Sequence, residues 1–161
     1  MHRIDQRKLA ASIVAETDPS LRDVILDEDN CYEEILKALK PHRDKILAMW
    51  EDSWPQEWAY EWARRIGDRH VMRDRVMEPN RAYWWAIDIG DRDVMRDRIT
   101  ESAWAYQWTI HIGDRDVMRD RITESEWAYE WAIDIGDRDV MRPIAFKDPV
   151  WKDEWVKHFG E

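Results

Sequence analysis

The residue types that most often hold a metal ion or transfer a proton are scattered along this chain of 161 residues. The single cysteine, Cys31, has no second thiol with which to form a disulfide or a zinc site. The histidines share neither a position in a repeat nor the short spacing of metal ligands on one helix. They are His2, His42, His70, His111 and His158. The sequence therefore predicts no metal site, no cofactor and no redox centre.

A charged phrase, Gly-Asp-Arg-x-Val-Met-Arg, is the strongest remaining candidate for chemistry. A phosphate-binding loop needs a run of glycines followed by Lys and Ser or Thr, and the phrase has neither. A calcium loop needs more oxygen ligands than Asp91 and Asp93 provide. No nucleophile elbow is present either. We therefore expect a protein that is not an enzyme.

The phrase recurs because the chain contains a tandem repeat of 23 residues, counted between its glycines Gly67, Gly90, Gly113 and Gly136. A version of Trp-Ala-Tyr-x-Trp precedes each glycine. In the third copy, Ala105, Trp108 and Ile112 fall on one face of a helix, and Ser102 is a candidate N-cap. Each copy thus predicts a first helix that ends at its glycine.

The second half of each copy predicts a shorter second helix. Gly113 can adopt the left-handed conformation that ends the first helix, and Asp114 can cap the second. In that second helix we expect Val117, Met118 and Ile122 to face inward. Helices this short are unstable alone, so neighbouring copies must stack on each other.

The predicted fold is an all-α solenoid of helical hairpins in a single continuous domain. Its parts are a helical N-terminal cap (1–50), four 23-residue repeats (51–146) and a C-terminal half-repeat that closes the stack (147–161). The first part could instead be a small functional head.

Helix starts within the cap are expected at Asp18-Pro19, at Asp29 or Asn30, and at Pro41. Asp148-Pro149 starts the half-repeat. Pro143 is expected to shorten the second helix of the last copy.

Charge limits the class of partner. The net charge of −10 argues against DNA, RNA and anionic lipid, whose phosphates attract Lys and Arg. Residues 124–146 carry six carboxylates against two guanidinium groups, and residues 1–54 are acidic as well. We therefore expect a protein partner with a basic surface. The chain has no apolar run long enough to span a membrane and no signal-peptide pattern, which favours a cytoplasmic location.

The positions of the first helix that differ between copies are the candidates for partner binding, since residues identical between copies serve the stack. They recur at i, i+4 and i+8, so they form one ridge with a first, second and third position in each copy. Asn80 and Ala103 are first positions. The ridge residues predicted to bind a partner are Glu57, Glu61, Arg65, Trp84, Asp88, Gln107, His111, Glu126, Glu130 and Asp134.

Trp84 is the exceptional member of the ridge, because the equivalent positions hold Glu61, Gln107 and Glu130. An exposed Trp is a typical interface anchor. Alternatively, Trp84 packs locally to compensate for Arg81, which stands where the other copies have Trp.

The arginines of the charged phrase suggest nucleic-acid binding at first sight. All of them except Arg142 stand next to an Asp, however, and interleaved charges of opposite sign favour a ladder of ion pairs between stacked helices.

The order Ser-x-Trp-Ala-Tyr-x-Trp-Ala, then an apolar residue, glycine and a charged segment, resembles a short helical repeat of phage and mobile-element proteins. The resemblance covers about residues 51–146, with Trp where that repeat often has Tyr. It implies a protein-binding scaffold of viral or mobile-element origin.

Resemblance, size and acidity together lead to the hypothesis of an inhibitor of a host defence nuclease complex, of the anti-CRISPR or anti-restriction type. Such an inhibitor would block a basic nucleic-acid-binding surface. Two alternatives stay open: a scaffold that self-associates, and a binder of nucleotides or small ligands between repeats.

Overall fold

The chain is all-α over the residues that the computed structural model describes, which are 11, 15, 19–26, 32–49 and 56–160. No strand occurs among these residues, so the all-α class is confirmed. The helices are α1 (Pro19–Leu26), α2 (Tyr32–Leu39), α3 (Arg43–Met49), α4 (Gln56–Arg65), α5 (Arg69–Arg73), α6 (Pro79–Asp88), α7 (Arg92–Arg96), α8 (Ser102–His111), α9 (Arg115–Arg119), α10 (Ser125–Asp134), α11 (Arg138–Ala145) and α12 (Pro149–Phe159), with a 3₁₀ turn at Lys40–His42.

Two compact units divide the chain, one ending at Met77 and the other beginning at Glu78. The first copy of the repeat belongs to the first unit, and the other three copies belong to the second. A single domain with one solenoid through all four copies therefore stays a prediction.

The first unit brings α2 against α4 around fully buried aliphatic side chains. Helix α1 begins at Pro19, and the turn at Pro41 leads into α3, as the sequence predicts. The predicted caps Asp18, Asp29 and Asn30 lie outside the described residues, as does Cys31.

The turn between the two helices of each copy uses two successive residues with positive φ. In the third copy these are Gly113 (φ 124°) and Asp114 (φ 56°), and the Gly113 N–H donates to the Trp108 carbonyl at 3.0 Å. A residue with a Cβ adopts such φ values with difficulty, and Gly and Asp tolerate them best. The predicted left-handed glycine is confirmed.

The side-chain cap predicted for Asp114 is wrong. Asp114 stands at the N-cap position of α9, but its side chain makes no capping hydrogen bond. Its carboxylate instead accepts the indole N–H of Trp108 at 3.0 Å. The same bond spans 2.8 to 3.1 Å in the other copies, joining Trp62 to Asp68, Trp85 to Asp91 and Trp131 to Asp137. Each copy is therefore closed by a Trp to Asp bond across its turn.

Successive copies of the second unit stack through a repeated aromatic contact. The first Trp of one copy lies against the Tyr of the copy before it, with similar interplanar angles at each step. The ring centroids are 5.2 Å apart for Trp104 and Tyr83, 5.4 Å for Trp127 and Tyr106, and 5.5 Å for Trp151 and Tyr129. The copies are thus stacked in register from α6 to α12.

Ser102 bonds to the last residues of its own copy and does not cap its helix, contrary to our prediction. Glu101 occupies the N-cap position, and Ser102 is buried. The Ser102 hydroxyl accepts the backbone N–H of Thr123 at 2.9 Å. In the next copy, the Ser125 hydroxyl donates to the Ile144 carbonyl at 2.9 Å. The serine at the start of the first helix therefore satisfies a backbone group among the last residues of the same copy.

Met118 and Ile122 face inward as predicted, but Val117 does not. Met118 and Ile122 are buried, whereas Val117 is exposed. Adjacent residues of a helix point about 100° apart, and α9 is too short to bury more than one stripe.

The expected shortening of the last second helix at Pro143 is also wrong. Helix α11 spans 8 residues with Pro143 inside it, whereas α9 spans 5. Beyond the proline, the Phe146 N–H donates to the Arg142 carbonyl at 3.0 Å, an i to i−4 bond that continues the helix. In the third copy, the N–H groups of Arg121 and Ile122 bond three residues back, and the N–H of Thr123, which corresponds to Phe146, donates to the Ser102 hydroxyl, so α9 ends earlier.

Helix α12 has the start that the sequence predicts for the half-repeat. The Asp148 side chain accepts the Val150 N–H at 2.8 Å, Pro149 is the first helical residue, and Gly160 ends the helix in the left-handed region. Trp155 is buried where α12 packs on α10 and α11.

We expect Asp137→Ala to lower the free energy of unfolding by about 2 kcal/mol, because a buried indole N–H and a guanidinium lose their acceptor. Asp137→Asn keeps an acceptor and tolerates positive φ, so its loss should be smaller. Exposed Asp139→Ala should stay within about 0.5 kcal/mol. Urea unfolding measures all three, and equal losses for Asp137→Ala and Asp139→Ala would contradict the role of the bond.

Candidate partner-binding site

Two predicted ridge residues of the first unit, Glu61 and Arg65, belong to an ion-pair cluster. Arg65 Nε donates to Glu61 Oε2 at 2.8 Å, and Arg65 Nη1 lies 3.2 Å from Glu33 Oε2 on α2. The side chain of Glu57 lies outside the described residues. Glu61 and Arg65 thus link α4 to α2.

Some ridge residues of the second unit line an open groove of about 600 Å³ between α6 and α8. We call it the Trp84 groove. Half of its lining residues are ridge residues of the second and third copies, and the other half are aliphatic or aromatic residues. The lining consists of Tyr83, Trp84, Ile87, Ala103, Trp104, Gln107, His111 and Trp127.

Trp84 combines a local contact with a large exposed surface. Its ring meets the ring of Tyr83 edge to face at a centroid distance of 5.1 Å. The residue is nevertheless 45% exposed, and Ile87, one turn further along α6, is exposed as well. Exposed apolar residues on one wall of a concave surface are typical of a binding site.

The third ridge position of one copy meets the tyrosine of the copy before it. His111 Nδ1 lies 3.0 Å from the hydroxyl of Tyr83 and 3.0 Å from the carbonyl oxygen of Gln107. Tyr106 donates its hydroxyl hydrogen to Asp134. His158 of α12 packs edge to face on Tyr129. The third ridge position therefore serves the stack as well as the surface.

The tyrosine pKa values reflect this packing. Burial raises the pKa of Tyr83. Burial, with the hydrogen bond to Asp134 and the charges of Asp134 and Glu130, raises the pKa of Tyr106 to about 12. Both hydroxyls stay protonated near neutral pH.

The next junction along the stack has the same helices but a different surface chemistry. Where the Trp84 groove has Trp84, Ala103, Gln107 and His111, the junction of α8 and α10 has Gln107, Glu126, Glu130 and Asp134. We call Glu126, Glu130 and Asp134 the acidic strip. An apolar groove and an acidic strip are thus adjacent on one face.

The sequence reasoning missed half of the groove. Tyr83, Trp104 and Trp127 recur between copies, and we assigned them to the stack alone, yet they also line the groove. The signal that could have revealed it is the pairing of a large Trp84 with a small Ala103 at neighbouring ridge positions. Asp88 lies at the exposed end of α6 and does not line the groove.

The arginines of the charged phrase form ion pairs between copies, as the sequence predicts. Arg115 makes two contacts of 2.9 Å with Asp137, through Nε and Nη2. Arg96 Nη1 lies 3.7 Å from Asp114, and Arg119 Nη1 lies 3.9 Å from Asp137. The Arg115 guanidinium and the Trp131 indole hold the pKa of Asp137 below its ordinary value, against the effect of burial.

Within the described part of the chain, no three His, Cys, Asp or Glu side chains converge as a metal site would require. No helix of that part is long and apolar enough to cross a membrane.

The chain matches no family model, no curated protein and no solved structure. The geometry of the Trp84 groove and the acidic strip therefore carries the functional argument.

We expect Trp84→Ala to change the free energy of unfolding by less than about 1 kcal/mol, because half of this side chain is already in solvent. Its neighbour Trp85 is fully buried, and Trp85→Ala should lose about 3–5 kcal/mol. Thermal and urea unfolding by circular dichroism compare the two. A large loss for Trp84→Ala would support local packing as its main role.

Tyr106 should make folding sensitive to alkaline pH. Its pKa is about 12 in the folded chain against 10.0 for an ordinary tyrosine, so its contribution to stability is complete below pH 10 and is lost as the pH rises toward 12. Tyr106→Phe should remove that part of the pH dependence. Asp134→Asn should lower the pKa of Tyr106 by removing a charge. Tyrosinate absorbance and unfolding at several pH values test this, and an unchanged profile in Tyr106→Phe would contradict it.

Proposed function

We propose that this chain is a non-enzymatic binding protein that holds a protein partner on the ridge of its second unit. The observation that carries the proposal is Trp84, an apolar aromatic residue that is 45% exposed on the wall of a groove. Trp is enriched among residues that dominate binding energy, particularly where neighbouring residues can exclude water. Trp104 and Trp127 supply such neighbours.

The expected partner has a basic surface. Glu126 is exposed, and Glu130 and Asp134 follow it at i+4 and i+8 on the same side of α10. The chain as a whole is acidic, with a net charge of −10. Such a surface attracts cationic partners and repels nucleic acid.

In its finer form, the proposal is that the chain inhibits a host defence nuclease complex. The chain would act in the host cytoplasm and cover a basic nucleic-acid-binding surface of that complex. The acidic strip and the resemblance to phage and mobile-element repeats support this form. An acidic surface can occupy the site that a phosphate backbone would otherwise fill.

A second candidate function is the binding of a small aromatic ligand, and the volume of the Trp84 groove favours it. Ligand pockets commonly have volumes of about 300–1,000 Å³ and an apolar lining. A thermal shift with a panel of nucleotides and aromatic compounds separates the candidates, since a protein-binding surface should give a flat response.

Affinity capture from a lysate of the native host tests the proposal. We compare the wild-type chain with Glu126→Lys/Glu130→Lys and with a matched control, Asp116→Lys/Asp120→Lys, whose exposed carboxylates lie on and after α9. The wild type and the control should retain the same protein, and the ridge variant should retain at least about tenfold less, because reversed charges repel a basic partner. High salt should elute the captured protein.

Circular dichroism should show equal helicity in all three chains. Equal capture by the ridge variant and the control, or capture of nucleic acid alone, would contradict the proposed function. For the finer form, the captured protein that high salt elutes should bind DNA by itself and should lose DNA binding when the wild-type chain is added. Unchanged DNA binding would exclude that form.

A further inference from the structure

The Trp84 groove and the acidic strip lie one repeat apart on the same face. Because the axes of packed helices are about 8–10 Å apart, the Trp84 groove and the acidic strip are separated by about that distance. A single short segment of a partner could contact both surfaces.

The two surfaces differ at matched ridge positions. The second ridge position is Trp84 in α6 and Gln107 in α8. The first ridge position is Ala103 in α8 and Glu126 in α10. A glutamate in place of Ala103 would put a charged side chain at the wall of the groove. The absence of that side chain leaves the apolar space open beside Trp84.

The charges around the groove favour a cationic occupant. Helices α6, α8 and α10 together carry the carboxylates Asp88, Glu126, Glu130 and Asp134 against a single guanidinium, Arg81. Glu126 and Asp134 are exposed at the second junction. An apolar segment with acidic flanks would be repelled there, and a neutral one would leave the acidic strip unused.

Resting on the proposed function, we propose that this face recognises a basic amphipathic helix of the partner, with one large aliphatic side chain in the Trp84 groove and Arg or Lys on the acidic strip. A helix rises about 1.5 Å per residue, so residues seven apart on one face are about 10 Å apart. An aliphatic residue at i and arginines at i+4 and i+7 therefore match the spacing of the two surfaces. The partner helix runs along the stack, across α6, α8 and α10.

The test uses the full chain and a dye-labelled helical peptide of about 15 residues with Leu at i and Arg at i+4 and i+7 in a background of Ala and Gln. Fluorescence anisotropy gives the dissociation constant. Replacing the Leu by Ala in the peptide should weaken binding by about tenfold or more, since a buried aliphatic side chain is lost. Replacing both Arg by Glu should abolish binding at low salt.

Two variants of the chain replace groove residues by those of its own later copies. Ala103→Glu introduces the residue found at Glu126, and Trp84→Gln introduces the residue found at Gln107. Both should fold like the wild type, and both should bind the Leu peptide at least about tenfold more weakly. Glu126→Gln/Glu130→Gln should bind more weakly with a smaller dependence on salt, and Asp116→Asn/Asp120→Asn should bind like the wild type.

Equal binding of the Leu and Ala peptides, or equal binding by wild type and Ala103→Glu, would overturn the inference. It would also be overturned if indole occupied the groove while the peptide did not bind, or if the chain self-associated through Trp84 in place of binding peptide. These failures are distinct from failure of the proposed function, because capture of a partner that still depends on Glu126 and Glu130 would keep that function and reject the helical ligand.

Discussion

The hydrogen bond between a tryptophan indole and the aspartate six residues later is the interaction on which the repeat depends. It crosses a turn in which two consecutive residues have positive φ, a conformation that needs support from its surroundings. The indole belongs to the buried face of the first helix, and the carboxylate belongs to the start of the second. One bond thus fixes the angle between the two helices, and that angle determines where the next copy can stack.

The aspartate of the turn also connects the hairpin to the copy before it. In the fourth copy, Asp137 accepts from Trp131 of its own copy and from Arg115 of the previous one. Since one carboxylate satisfies both donors, forming the turn and stacking the copies are coupled. The ridge is held in place by this coupling, because its positions follow the first helix of each copy.

Much of the fold could be predicted from the sequence, since the period and the left-handed glycine at Gly113 are local signals. The errors concern side chains with two possible partners. Asp114 and Ser102 are both good capping residues, but tertiary contacts with Trp108 and Thr123 hold them instead. Pro143 lies within α11 because Phe146 continues the hydrogen bonding beyond it, which a local rule does not foresee. The groove escaped prediction because recurring residues such as Trp104 serve the stack on one side and the surface on the other.

The contact between His111 and Tyr83 limits how the surface can diversify. A residue at the third ridge position faces a partner on one side and contacts the tyrosine of the preceding copy on the other. A substitution that improves recognition at this position therefore also alters the contact between two copies. Ala103 has no polar side-chain atom, and the ring of Trp84 packs on Tyr83 of its own copy, so sequence change at these two positions perturbs the contact between copies less. New specificities should therefore accumulate first at the front two positions of each copy, with the third changing late and together with its tyrosine.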